Sequence, residues 1–171
     1  MTVAVETGLW QLDASASTVA LRHKTMWGLV TVKGTIAAVA GQGEVRPDGS
    51  AVGTLTFGVT SLDTGNAKRD AHLRGADFFD ADNHPEITFA ASSAELRDGD
   101  AVHVVGQLTV RGISRPLSIT ARLTGADADV LTLDGEFTVD RAQFGMGGGL
   151  LGMIRGLATV TTTLRFKRAA A

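Results

Sequence analysis

The sequence predicts an all-β domain, an antiparallel barrel of about eight strands with one short helix. Three observations carry this: period-two alternation of apolar and polar residues recurs along most of the chain, turn chemistry separates the alternating runs, and each run has one apolar face. Composition agrees. Thr and Val are frequent, 21 glycines punctuate the chain, and Tyr is absent. β-branched residues broken by Gly-containing turns favour strands over long helices.

In order, Val19, Leu21 and His23 alternate with polar or small neighbours, and Leu55, Phe57 and Val59 alternate with Thr54, Thr56 and Thr60. Ile87, Phe89 and Ala91 repeat the pattern, followed by Val102, Val104, Leu108 and Val110. Then come Leu117, Ile119 and Leu123, next Leu133, Phe137 and Val139, and finally Val160, Leu164 and Phe166. Each reads as a half-buried strand. Pro47-Asp48-Gly49, Asp98-Gly99 and Asp127-Ala128-Asp129 supply reversals, so neighbouring strands are antiparallel. A two-layer sandwich carries the same signature and stays open as the competing architecture. On the inward faces, Gly106 and Ala91 leave space, while Phe57, Phe89 and Phe137 supply smooth apolar walls.

Two segments break the alternation. Residues Asn66 to Arg74 read as a short helix: Asn66 caps it, Asp70 lies in its early turns, Ala67 and Ala71 share a face, and Gly75 stops it. This helix suits one barrel end, with Phe78 and Phe79 as core residues beneath it. The run from Gly145 to Ile154 is apolar yet too glycine-rich for a stable helix or strand, and an exposed apolar loop needs a partner.

A chain of 171 residues without a Pro- or Ser-rich linker reads as one domain over residues 1–171. The formal charge of −2 provides no basic excess for phosphates, which argues against nucleic acid as a partner. Without Cys there is no disulfide, thiolate metal site or thiol nucleophile. No secretory signal is visible at the start, so the expected localisation is cytoplasmic. No run of roughly 18 apolar residues is present, so no spanning helix is expected.

Candidate functional groups have competing roles. His23, in phase with Val19 and Leu21, can bond a ligand headgroup or be a core histidine satisfied by a backbone carbonyl. Met26 and Trp27 line a pocket or simply pack. Arg69, Asp70 and His72 with Ser61 nearby invite a nucleophilic reading. On a short helix, however, Arg69 and His72 share a face while Asp70 turns away. A structural tie from the helix to the strand rim is the better reading. His23, His72, His84 and His103 have no metal-ligand spacing, and His103 falls out of phase with Val102 and Val104. No metal and no cofactor are expected.

Several ordered blocks resemble the YceI-like family of lipocalin-like polyisoprenoid-binding proteins. They are Ser61-Leu62-Asp63-Thr64-Gly65-Asn66, Arg69-Asp70-Ala71-His72-Leu73-Arg74, Asp77-Phe78-Phe79-Asp80 and His84-Pro85-Glu86-Ile87-Thr88-Phe89. A second region runs from Gly106-Gln107-Leu108 through Arg111-Gly112-Ile113 to Leu117, and a third holds Asp140-Arg141 and Phe144-Gly145-Met146. At the front stand Trp10-Gln11-Leu12-Asp13 and Val19-Ala20-Leu21-Arg22-His23. The resemblance implies an extended, lipocalin-like eight-stranded barrel capped by a helix, holding a long lipid tail: a polyisoprenoid, an isoprenoid quinone or a fatty-acid derivative. Ala16 stands where the family has a His, and Arg155-Gly156 where it has an acidic residue.

The lining expected from strand phase and resemblance is Val19, Leu21, His23, Met26, Trp27, Leu55, Phe57, Val59, Ile87, Phe89, Leu108, Phe137, Phe144, Met146 and Met153. The loop holding Met146 and Met153 suits a gate over the tunnel or a homodimer contact. The expected function is binding, not catalysis. Two alternatives remain: an enzyme with His23 as general acid or base, and a structural or stress-related dimer with a filled barrel.

Overall fold

The structure, a computed structural model, describes residues 7–25, 30–75, 79–97, 99–140 and 154–169, without the side chains of 23–25, 30–32, 39 and 154–157. The strands are β1 (Gly8–Leu12), β2 (Thr18–Thr25), β3 (Val30–Val45), β4 (Ala51–Asp63), β5 (Glu86–Arg97), β6 (Ala101–Val110), β7 (Ile113–Ala126), β8 (Val130–Asp140) and β9 (Ile154–Arg168). A 3-10 turn (Ala14–Ala16) joins β1 to β2, and the helix α1 (Ala67–Leu73) lies between β4 and β5.

All pairings are antiparallel, and the sheet closes on itself. From β2 it runs through β9, β8, β7, β6, β5 and β4 to β3, which pairs back with β2. β1 also lies between β3 and β9. β1 and β2 are therefore successive halves of one interrupted edge-to-edge position, and nine strand segments fill eight positions. This closure excludes the sandwich.

The interruption keeps its ladder through one backbone bond and two side chains. Asp13 N donates to Arg165 O at 2.7 Å, and Arg165 N donates to Ser17 Oγ at 3.0 Å. Lys167 Nζ sits 3.1 Å from Asp13 Oδ2. The turn also changes phase: Trp10 is buried in β1 and Val19 in β2.

β3 and β1 are the strands that the alternation left unassigned. In β3, Val39 is an extra residue opposite β4, where pairing passes from Ala38↔Phe57 to Ala40↔Thr56. Buried Ile36 and Ala38 thus give way to half-buried Gly41, Gly43 and Val45, which hides the period of two. Ser92 in β5 and Thr124 in β7 are similar extra residues. Such bulges bend strands, as barrel closure requires.

Along β9 the outward positions are polar, Thr159, Thr161, Thr163, Arg165 and Lys167, against inward Val160, Thr162, Leu164 and Phe166. This polarity is the reverse of a bilayer-spanning barrel, which turns its apolar band outward. Among the described residues no helix is long and apolar enough to cross a membrane.

The two barrel ends differ. One carries the short turns 46–50 and 127–129 and the β5–β6 connection, with Gly49 and Gly99 at positive φ. The other carries the two-residue turn 111–112, with Arg111 and Gly112 at positive φ, together with longer connections, including α1. Inside, Gly106 corrects the expectation that it leaves space. A Cβ there would stand 2.3 Å from the Ala90 carbonyl oxygen and 2.8 Å from Phe89 Cζ, so the buried Phe89 ring already covers the glycine. Gly106→Val is therefore expected to destabilise by about 1–3 kcal/mol through overpacking. Gly125→Ala, whose Cβ would meet only Thr132 Oγ1 at 4.0 Å, should leave the urea midpoint nearly unchanged. Equal midpoints for the two variants would contradict this packing.

Candidate functional site

The inward faces enclose a cavity of about 290 Å³. That is roughly twice the ~150 Å³ apolar cavity known to stay dry and to take up benzene. Val19, Leu21, Leu55, Phe57, Ile87, Phe89, Leu108 and Phe137, all expected from strand phase, border it. Of the polar residues along it, Gln42, Glu44 and Thr54 are exposed, whereas Thr162 is buried. Thr162 Oγ1 donates to Gly135 O at 3.3 Å, so its hydroxyl is already satisfied within the wall.

Two expectations are corrected, and others fall outside the description. Val59, 1% exposed, does not border the cavity. The β4–β5 ladder ends at Gly58↔Glu86, after which β4 bulges, with Asp63 the next partner of β3. Val59 N donates to Pro85 O at 2.9 Å, which continues the β4–β5 register one residue beyond the ladder and buries Val59 past the edge of the cavity. Phe79, expected as core beneath the helix, does border the cavity, because its N–H is tied to Leu73 O at 3.0 Å. Met26, Trp27, Phe78, Phe144, Met146 and Met153 lie outside the described residues. His23 pairs with Val32 and Ala158 in the ladder, but its side chain is outside the description.

Further wall residues were missing from the expected lining. Val104, Leu117, Ile119, Leu133, Val139, Val160, Leu164 and Phe166 border the cavity and obey the same alternation, so continuing the phase argument through every strand finds them. Trp10 and Ile36 had no such signal, since their strands are broken by a turn and by bulges.

The polar cluster on α1 is structural. Asn66 Oδ1 accepts from Arg69 N at 3.0 Å, capping the helix as expected. Asp70, 6% exposed, accepts from Thr64 N at 2.9 Å and from Thr64 Oγ1. Arg69 Nε donates to Thr64 Oγ1 at 2.9 Å and Nη2 to Thr64 O at 2.8 Å. Arg74 Nη1 reaches Leu62 O at 3.1 Å. The Arg69 guanidinium is thus committed to Thr64. It turns back with Asp70 onto Thr64, because the strand end precedes the cap and a guanidinium is long enough to reach it. Ser61 is committed elsewhere: its Oγ accepts from Ala37 N at 2.7 Å and donates to Gly58 O at 2.5 Å, bridging the bulge in β4.

This geometry matches known proteins. A family model, the YceI-like domain, matches residues 10–167. The chain belongs to the YceI-like domain family. Protein YceI of Shigella flexneri is 40% identical over 75 residues, covering 44% of this chain and 39% of that protein. The matched stretch thus spans about two fifths of that curated relative. Among solved structures, BcnA of Burkholderia cenocepacia superposes with a TM-score of 0.78 at 23% identity, over 90% of this chain and 98% of that one. A polyisoprenoid binding domain from Saccharophagus degradans gives 0.75 at 16% identity, over 96% and 100%. At such identities these structures establish the shared barrel.

The Thr64 hydrogen bond holds the Asp70 carboxyl below the usual carboxylate range, against the opposing effect of burial, and Arg74 and Arg69 add to the lowering. A carboxyl with a depressed folded pKa adds stability above its unfolded value of about 3.9, and that stability is lost as pH falls through the folded value. Asp70→Asn is expected to melt below the wild type at neutral pH, with the gap narrowing in acid. Thermal melts across that pH range check it, and a gap independent of pH would rule out the carboxylate's part.

Proposed function

We propose that the barrel binds and holds a long-tailed lipophilic small molecule, an isoprenoid, isoprenoid quinone or fatty-acid derivative, as a carrier or sequestering protein rather than as an enzyme. One observation carries this reading: the cavity is walled by aliphatic and aromatic side chains, and its buried hydroxyl, Thr162, is already bonded to Gly135 O. Such a wall recognises a hydrocarbon chain by burial, at ~0.8 kcal/mol per CH₂, without requiring polar contacts along the tail. It discriminates poorly between chains of similar thickness. Since a fold hosts many functions, the lining rather than the barrel supports the ligand class. The polyisoprenoid binding domain of Saccharophagus degradans, with the same architecture, supports it from outside.

Mass spectrometry of an organic extract of the purified protein, beside native mass spectrometry of the intact chain, tests the proposal. A co-purifying isoprenoid or acyl compound near one per chain is the expected result, and Phe57→Glu should abolish it while circular dichroism retains the β signature. An empty protein that also fails to take up added quinones and fatty acids would overturn the reading.

A further inference from the structure

The cavity wall is not bonded equally on all sides. β8 pairs with β9 along its whole length, from Val130↔Lys167 to Asp140↔Leu157, and β7 pairs with β6 from Arg122↔Ala101 to Ile113↔Val110. Between β7 and β8 the ladder runs only from Ala126↔Leu131 to Ala121↔Gly135 and then stops. Both strands continue past that point, β7 back to Ile113 and β8 on to Asp140. Among the described residues, 113–120 of β7 and 136–140 of β8 thus leave a seam with no backbone pairing between them. By contrast, the turn between β1 and β2 and the bulge in β4 are bridged, by Asp13 and Ser17 and by Ser61.

The sequence of β7 suits an open edge. Val110 and Ile113 close a two-residue hairpin with Arg111 and Gly112 at positive φ, so this pair exchanges both of its backbone bonds. Alternation then gives the backbone bonds of Arg115, Leu117 and Ile119 to β6 and turns those of Ser114, Pro116, Ser118 and Thr120 toward β8. The Thr109 and Ser114 hydroxyls, 2.6 Å apart, fit this phase, since side chains approach most closely at the non-bonded pairs. Pro116 has no N–H to offer β8, and a proline in a sheet belongs where no ladder bond is asked of it. The seam also lies on the cavity: Leu117 and Ile119 border it from one side, Phe137 and Val139 from the other. Leu117, Ile119 and Val139 pack against one buried cluster, Phe89, Leu108 and Val110. Apolar side chains therefore close this part of the wall, and they can part without breaking a β7–β8 ladder bond.

We propose that the seam between β7 and β8 is the side portal through which the lipid tail enters and leaves the cavity. This rests on the binding reading above. The tail slides in edgeways as Leu117 and Ile119 move away from Phe137 and Val139, instead of threading end-on past α1.

The chain has no cysteine, so an introduced thiol pair can fasten the seam. Extending the register of Ala121↔Gly135 brings Ser118 opposite Thr138, and both are exposed. In Ser118→Cys/Thr138→Cys a disulfide, or a short bifunctional thiol reagent where the strands stand too far apart, joins β7 to β8, and intact mass confirms the link. Stopped-flow uptake and release of a fluorescent polyene fatty acid are then followed on delipidated protein. Linking should slow both steps about tenfold or more while Kd stays nearly unchanged. The control, Val105→Cys/Ser118→Cys, joins residues already paired between β6 and β7 and should keep the wild-type rates. Unaltered rates in the linked seam variant, or equal slowing in the control, overturn the portal but leave the binding reading standing. A wild type that takes up no fatty acid overturns both. Amide exchange on the unmodified chain needs no variant to fold: the Ser118 and Thr120 N–H groups should exchange about tenfold or more faster than those of Leu117 and Ile119, which β6 holds. Equal protection would mean a zipped seam and overturns the proposal.

Discussion

Everything in this molecule depends on the return of the sheet to its first strand. β1 and β2 together fill the gap between β3 and β9, each bonding to both neighbours. Without them β3 and β9 would present two long rows of unpaired backbone groups, which template aggregation. With them, the apolar faces have only the lumen to point into. The join is made where the chain departs from strand geometry, and Ser17 Oγ there accepts the Arg165 N–H that a regular ladder would give to a backbone carbonyl.

Closure alone does not leave a cavity, because eight strands enclose little more than their own side chains. Residue size does. Ala91, Ala94, Ala121 and Ala158 border the space, and Gly43, Gly53 and Gly135 border it without any side chain. Large rings are placed where they cover rather than fill: Phe89 lies over Gly106, a packing in which an aromatic ring shields a strand glycine. The space is bordered from Val45 and Ala51, beside the turn 46–50, to Phe79 just after α1. At the far end, where connections are long, the backbone needs other partners, and the Thr64, Asp70 and Arg69 cluster supplies them.

The sequence by itself determined the fold class, most strands, the α1 cap at Asn66 and much of the wall. All of these follow from local rules, since side chains alternate along any strand and a helix start needs an acceptor for its first N–H groups. It also carried the family, through ordered blocks from Trp10 to Met146 that the family model matches over residues 10–167. Only the tertiary structure decided between barrel and sandwich, because closure is a pairing between residues such as Thr18 and Thr163 that lie far apart in the chain. It likewise decided that Phe79 borders the cavity while Val59 does not, and that β3 changes phase at Val39. A bulge shifts register by one residue, and a loop residue reaches the cavity only through the path of the folded chain. Neither leaves a periodic mark in the sequence.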